Sequence, residues 1–374
     1  MKHISPIIGT SYECNMGCKY CYIGCMQKNF PDVKKVNEEF KAKIPLLLKF
    51  TDEVVSYNKF TRTIFYFRGG EPLLINVENW REILNYFRVK NYSIISSIQT
   101  NGTLINNDFI NLFKEFNLKI GVSLDGPASM NDQTRVFKNG RGTFSIIFKN
   151  LQKLKNAGVE FSCLLTLNKT NIKNIKAIYT FFKKNNISFN VMPIFETNFH
   201  VPKNLLITPQ EYANTFCKLF DLWFDDSETN PFLIKEFVTL IEQFIKPSEG
   251  KREGAFMKNC SKHFVYFDLE GNLWSCNTLL YTKDTFFYGN IQKDNLTNIL
   301  NSSKPTQLQK RWEILSKTDC KNCEFAKWCY GGCGSRGYYY YGNYFKKDYF
   351  CEAYKIILKH THEKIKSSLR NEVD

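Results

Sequence analysis

Thirteen cysteines stand in a chain of 374 residues, and three of them raise the question of what chemistry it performs. Cys14, Cys18 and Cys21, in the stretch ECNMGCKYC, are separated by three and then two residues. A structural zinc ion is closed by four ligands, and a cube of four irons and four sulfides also presents four irons to ligate. Either a fourth protein ligand lies elsewhere, Cys25 or a distant histidine closing a zinc knuckle, or one position is kept for something that is not protein.

A second group of cysteines is denser. Cys260 is followed after ten residues by Gly271 and after four more by Cys276. Cys320, Cys323, Cys329 and Cys333 then come at gaps of two, five and three, and Cys351 after seventeen more. Spacing alone leaves a double zinc ribbon open as the reading of this group. The start, MKHISPIIGTSYEC, lacks the apolar stretch of a secretory signal, and no window approaches the roughly 18 apolar residues of a membrane span. A cytoplasmic protein is expected, and in a reducing compartment so many cysteines point to metal or redox chemistry and away from disulfides. Cys163, inside a strand-like run, and Cys217, on an apolar helix face, read as buried small hydrophobes.

The elements that position these groups follow from hydrophobic periodicity. Apolar runs SPIIGT, RTIFYFRG, YSIISSIQTN, LKIGVSLDG, EFSCLLTLN and SFNVMPIF read as buried strands. Amphipathic stretches such as VENWREILNYFRV and SIIFKNLQKLKNAG lie between them as helices. Strand and helix alternating six times imply a parallel sheet with right-handed crossovers. The expected fold is α/β, a partial (β/α)6 TIM-like barrel with its functional groups at the strand C-terminal ends. After about residue 235 cysteines, glycines and aromatics become dense, as in CKNCEFAKWCYGGCGSRGYYYYGN. The division expected is 1–235 for the barrel, 236–355 for a small cysteine-rich α+β domain stapled by metal, and 356–374 for a terminal helix. The tyrosine run 338–341 reads as packing in a short strand.

Tyr20 gives the first triplet the form C-x3-C-x-aromatic-C, and downstream motifs extend the pattern. RGGEP ends the second strand, QTNGTLI the third, and VSLDGPASMNDQTRVFKNGRGTF the fourth. Together they resemble the radical S-adenosylmethionine (radical SAM) family. The resemblance implies a four-iron cluster on Cys14, Cys18 and Cys21, whose fourth iron takes the amino and carboxylate groups of S-adenosylmethionine. It also implies cofactor contacts from Gly69, Gly70, Glu71 and Pro72, from Thr100 and Asn101, from Ser123 at the ribose and from Arg135 at the carboxylate. An Arg suits that last task because its planar fork can hold two oxygens. Leu167 and Met192 are candidates to pack on adenine, or else core.

The second cysteine group resembles the SPASM extension of radical SAM peptide-modifying enzymes at all seven positions. By that resemblance Cys320, Cys323, Cys329 and Cys351 hold one auxiliary cluster, and Cys260, Cys276 and Cys333 a nearer one, making three [4Fe-4S] clusters in all. Relatives that mature sulfatases under anaerobic conditions carry an eighth cysteine close to the first; here only Cys260 is present, and His263 or another cysteine is a conceivable substitute. Those relatives also carry an Asp after the cysteine equivalent to Cys276, and this chain has Asn277, which cannot act as a carboxylate base. No catalytic base is assigned.

The two departures favour, as an expectation, a maturase that cleaves S-adenosylmethionine and cross-links a ribosomally made, cysteine-containing peptide. Sulfatase maturation, oxidising a Cys or Ser to formylglycine, is the alternative, and a non-enzymatic iron–sulfur electron carrier is the alternative of another class. With thirteen residues before Cys14, no leader-binding domain is expected ahead of it. A separate leader-binding protein is one way to recognise the substrate, and a flavodoxin, ferredoxin or reductase is expected as electron donor. The net charge of +15 suits an acidic leader. The lysines are scattered, so neither nucleic acid nor membrane is expected as a partner.

Overall fold

The computed structural model describes residues 3–23, 29–198, 201–226, 232–246 and 254–371. The six strands appear in the expected order, each followed by helix. They are β1 (Ser5–Gly9), α1 (Val33–Tyr57), β2 (Thr63–Arg68), α2 (Val77–Val89), β3 (Ile94–Thr100), α3 (Asn107–Glu115), β4 (Lys119–Ser123), α4 (Ala128–Thr134), α5 (Phe144–Asn156), β5 (Phe161–Leu167), α6 (Ile175–Lys184), β6 (Phe189–Pro193) and α7 (Pro209–Asp226). After α8 (Lys235–Ile245) come β7 (Phe264–Asp268), β8 (Asn272–Trp274) and β9 (Phe287–Asn290). Short helices α9 (Leu296–Asn301), α10 (Ser303–Leu308), α11 (Arg311–Leu315), α12 (Ala326–Cys329) and α13 (Gly334–Tyr341) then precede α14 (Cys351–Asn371).

The chain forms two compact units. The first comprises 1–124, 131–162 and 260–309. Its strands lie in the order β4-β3-β2-β1-β7-β8-β9. β1 is parallel to both β2 and β7, while β8 and β9 turn back antiparallel. Alternation along TIFYFR sends Thr63, Phe65 and Phe67 inward. Phe67 meets Trp80 of α2 edge-on at 5.0 Å, and Phe50 of α1 stacks on Phe267 of β7 at 4.1 Å. Side chains of Asp32, Asn76 and Asn106 cap α1, α2 and α3 by accepting first-turn amides, so each helix starts where its sequence signal falls.

The second unit comprises 125–130, 163–259 and 310–374. It holds the parallel pair made by β5 and β6 and an aromatic core. Phe216 and Phe220 of α7 pack on Phe237 of α8 at 5.0 and 5.3 Å, and Tyr212 packs on Phe350 at 5.1 Å.

Residues 264–268 add to β1 as a parallel neighbour, and 260–309 belong to the first compact unit. One expectation is corrected. The tyrosine run belongs to helix α13, not to a strand; Tyr340 stacks on Tyr349 at 3.6 Å. The terminal helix runs from Cys351 to Asn371. Cys163 and Cys217 are buried as expected, and Cys25 lies outside the described residues.

Candidate active site and cluster-holding loops

The loop after β1 is built against the loop after β2. Thr10 gives both its amide and its hydroxyl to the carbonyl of Arg68, at 2.7 and 2.9 Å. The amides of Gly70 and Glu71 then donate to the carbonyls of Ser11 and Glu13, at 2.6 and 2.8 Å. This closeness requires glycine. Gly69 has φ +146°, and a Cβ there would lie 2.3 Å from the Ser11 oxygen; one on Gly70 would lie 2.0 Å from the Glu13 oxygen. The two glycines therefore seat the cysteine loop itself, a task the sequence did not announce. Gly70→Ala should cost about 1–3 kcal/mol through forced displacement of that loop. A lowered thermal midpoint together with reduced iron per chain after anaerobic reconstitution would show it.

Glu71 binds these segments to the end of β3. Its carboxylate is fully buried and accepts from Thr100 Oγ1 at 2.6 Å, Asn101 N at 2.7 Å and Leu73 N at 2.9 Å. These protein donors join the GGE and TNG motifs through one carboxylate. Burial pushes its carboxyl up, and those hydrogen bonds oppose the shift. Asn101 then reaches the cysteine loop, its Nδ2 2.9 Å from Asn15 Oδ1 and 3.7 Å from the Cys14 sulfur. Pro72 opens the turn that follows, its carbonyl accepting from the Trp80 indole.

Beyond Cys14 the loop pairs with residues 134–137. Gly17 and Lys19 donate to the carbonyls of Val136 and Thr134 at 2.8 and 2.9 Å. Buried Arg135 donates to the Tyr20 hydroxyl at 2.9 Å. Asp132 holds GRGTF in place by accepting the amides of Thr143 and Phe144, and Gly142 gives it the room. Ser123 receives Gln99 Nε2 at 3.1 Å. One compact unit thus gathers Cys14, Cys18, Cys21, Tyr20, Gly69 to Pro72, Thr100, Asn101, Ser123 and Arg135 at the C-terminal ends of β1 to β4. Leu167 and Met192 fall in the other unit. There Leu167 is enclosed in the core, and Met192 is 37% exposed.

The donor set fits an iron–sulfur cluster. Backbone amides of Met16 and Ile23 lie 3.4 Å from the sulfurs of Cys14 and Cys21, the kind of N–H to sulfur contact that tunes such clusters. Burial, with the field of Glu71 added, pushes the Cys14 thiol up to about 12. Such a thiol ionises when a metal cation arrives to hold the charge.

In the second unit four cysteines feel one another's charge: Cys320 and Cys323, Cys329 with both, and Cys351 with Cys329. Among the described residues, no three His, Cys, Asp or Glu side chains gather closely enough to hold a single ion. Two buried residues, Arg311 and Asp348, organise their loops. Arg311 donates to the carbonyls of Gly331, Gly332, Tyr344 and Lys346 at 2.8–3.1 Å. Asp348 accepts the amides of Cys333 and Phe350 and pairs with Arg336 at 2.7 Å. Scattered single charges carry no spacing signal, so sequence patterns could not single them out. Of the three cysteines expected on the nearer cluster, Cys260 and Cys276 lie in the first unit and Cys333 in the second. Tyr288 is in electrostatic reach of both Cys260 and Cys276. The His263 residue is exposed at its surface, and partial desolvation of its ring, with the charges of His3 and Lys262, holds it below the ordinary histidine range.

Residues 8–182 match the model of the radical SAM superfamily. The chain is 30% identical over 371 residues to a cysteine-type anaerobic sulfatase-maturating enzyme of Clostridium novyi, covering 95% of this chain and 94% of the relative. It is 26% identical over 339 residues to a serine-type enzyme of Bacteroides thetaiotaomicron, covering 86% and 80%. Among solved structures, anSMEcpe with bound AdoMet superposes with a TM-score of 0.82 at 23% identity, over 99% of this chain and 96% of that one. Streptococcus suis SuiB bound to S-adenosylmethionine gives 0.62 at 15% identity, over 94% and 77%. The chain has the α/β fold of these radical SAM enzymes. It belongs to the radical SAM superfamily and, within it, to the family of the anaerobic sulfatase-maturating enzymes. It is therefore an enzyme of the oxidoreductase type that acts on a peptide or protein.

Proposed function

We propose that the protein oxidises a cysteine or serine side chain of a protein substrate to formylglycine. The likeness to sulfatase-maturating relatives over nearly the whole chain carries this reading, and it reverses the order in which the sequence had ranked the two activities. Cys14, Cys18 and Cys21 would hold a [4Fe-4S] cluster, with the 69–72 turn, Ser123 and Arg135 around the cofactor. A cluster held there, with S-adenosylmethionine bound, would supply the radical chemistry that removes a hydrogen atom from substrate. The chain's own residues fix the geometry: Glu71 ties three strand ends together, Arg135 braces Tyr20, and Asn101 steadies Cys14. Two auxiliary clusters, on Cys320, Cys323, Cys329 and Cys351 and on Cys260, Cys276 and Cys333 of a SPASM domain at 236–355, complete the set. An acidic flavodoxin or ferredoxin suits the +15 charge as electron donor. A cytoplasmic setting suits the thiol-rich loops, and no helix among the described residues is long and apolar enough to cross a membrane.

anSMEcpe has been solved with bound AdoMet and the Cp18Cys peptide, and that peptide is the substrate to offer. Anaerobically reconstituted protein should carry about twelve irons, release 5′-deoxyadenosine under reductant, and leave a hydrazide-reactive aldehyde in place of the cysteine. Consumption of S-adenosylmethionine with no aldehyde would exclude the reading. One sequence feature favours a second: by the resemblance Asn277 stands at a position that is Asp in sulfatase-maturating enzymes, which suits peptide cross-linking through a thioether or carbon–carbon bond. A separate leader-binding protein would belong to that second reading.

A further inference from the structure

Two side chains meet between the loop of Cys21 and the loop of Cys276, within the field of a third, Arg68. Asn277 Nδ2 donates to the Tyr22 hydroxyl at 2.5 Å, which leaves Asn277 one amide hydrogen and Tyr22 its own phenolic hydrogen. The charge of Arg68 acts on Tyr22, opposing the burial that pushes the phenol up to about 12, and the fields of Cys21 and Cys276 reach the same ring. Arg68 ends β2, directly before Gly69. Its Nε is buried and has no hydrogen-bond partner, and its guanidinium, 5.7 Å from the centre of the Tyr66 ring, makes no ion pair among the described residues. Arg68 is half-buried with its Nε enclosed, and its charge reaches the phenol that the Asn277 amide contacts, so guanidinium, phenol and amide form a set of donors. An anion completes such a set.

We propose that Arg68, with the Tyr22 hydroxyl and the Asn277 amide beside it, receives the reacting cysteine of the substrate as its thiolate. This rests on the formylglycine reading for the identity of that residue. The step is a deprotonation alone: the thiol S–H breaks as the peptide binds, the proton leaves to solvent, and the electron pair stays on sulfur beside the guanidinium. A nearby cation favours the ionised form of a group that ordinarily loses its proton near pH 8.5. A serine hydroxyl does not ionise under these conditions, so the patch selects cysteine. It also accounts for Asn277: with the proton already gone, no carboxylate is required to remove it.

Calorimetry on the reconstituted holoenzyme tests this with the Cp18Cys peptide and its Ser, Ala and Asp versions at the reactive position. The Cys and Asp peptides should bind about tenfold or more tighter than the Ser and Ala peptides. Heats measured in buffers of different ionisation enthalpy should show proton release for the Cys peptide alone. Arg68→Gln should abolish both the preference and the release, and Arg68→Lys should restore part of each. Equal affinity for the Asp and Ala peptides, or proton release untouched by Arg68→Gln, overturns the proposal. If Arg68→Gln fails to retain iron, Asn277→Asp serves: its new carboxylate pairs with Arg68, and the advantage of the Asp peptide over Ala should vanish; an advantage that persists overturns the proposal too. Absence of aldehyde product with the binding signature intact would instead count against the formylglycine reading only.

Discussion

Asp348→Ala should destabilise the second unit by about 3–5 kcal/mol, the usual cost of stripping one partner from a buried ion pair. The side chains of Arg336 and Asp348 are 6% and 0% exposed, so water cannot take the place of the lost carboxylate. Charge is only half of the loss. The Asp348 carboxylate also accepts the Cys333 amide at 2.7 Å and the Phe350 amide at 2.9 Å. Cys329, Cys333 and Cys351 are set by that network. Arg336→Met should be milder, because the carboxylate keeps its backbone donors and the Tyr354 hydroxyl at 3.1 Å. Thermal midpoints and iron per chain should rank wild type, Arg336→Met, Asp348→Ala. Equal loss in the two variants would mean that the ion pair, not the loop amides, carries the effect.

Glu71→Leu has the second large effect, and it falls on the first cysteine loop. It leaves the Thr100 hydroxyl and the amides of Asn101 and Leu73 buried without acceptors, at about 1–3 kcal/mol for each. Neighbouring terms of this kind do not add fully, so a total of about 3–5 kcal/mol is expected. Glu71→Gln should recover part, since one oxygen still accepts while the amide opposes a donor. The functional signature is specific: Asn101 loses its anchor, and with it the contact to the Cys14 sulfur. Cleavage of S-adenosylmethionine should fall by more than tenfold in Glu71→Leu, while iron attributable to Cys320, Cys323, Cys329 and Cys351 is kept. Wild-type cleavage by that variant would show that the bracket is dispensable.

The strand–helix units were legible because each signal is local. Alternation in TIFYFR and the Asn caps at 76 and 106 depend on a few adjacent residues. The cysteine spacings were legible for the same reason. What escaped was everything decided across the fold. RGGEP announced a turn with close approach, yet not that the approaching group would be the backbone of Ser11 and Glu13. Arg311, Arg336 and Asp348 are single charges among 87 Lys, Arg, Asp and Glu residues, and only burial separates them from solvated ones. The pairing of 264–268 with β1 escaped for the same reason, since it joins segments far apart in the chain. The tyrosine run misled because aromatic propensity for strands is set by context, and here the residues pack on a helix.

The position of β1 between β2 and β7 has a consequence for biosynthesis. Ser5 pairs with Phe264, so the strand that leads into the first cysteines waits for its second neighbour until most of the chain has been translated. At roughly 5–20 residues per second that delay is on the order of 10–50 s. During it the Cys14 loop hangs from a strand paired on one edge alone, the edge most exposed to misassociation. Cluster insertion into a finished site can therefore only follow release of the 264–268 segment from the ribosome, which makes metal loading a late event in the life of the chain.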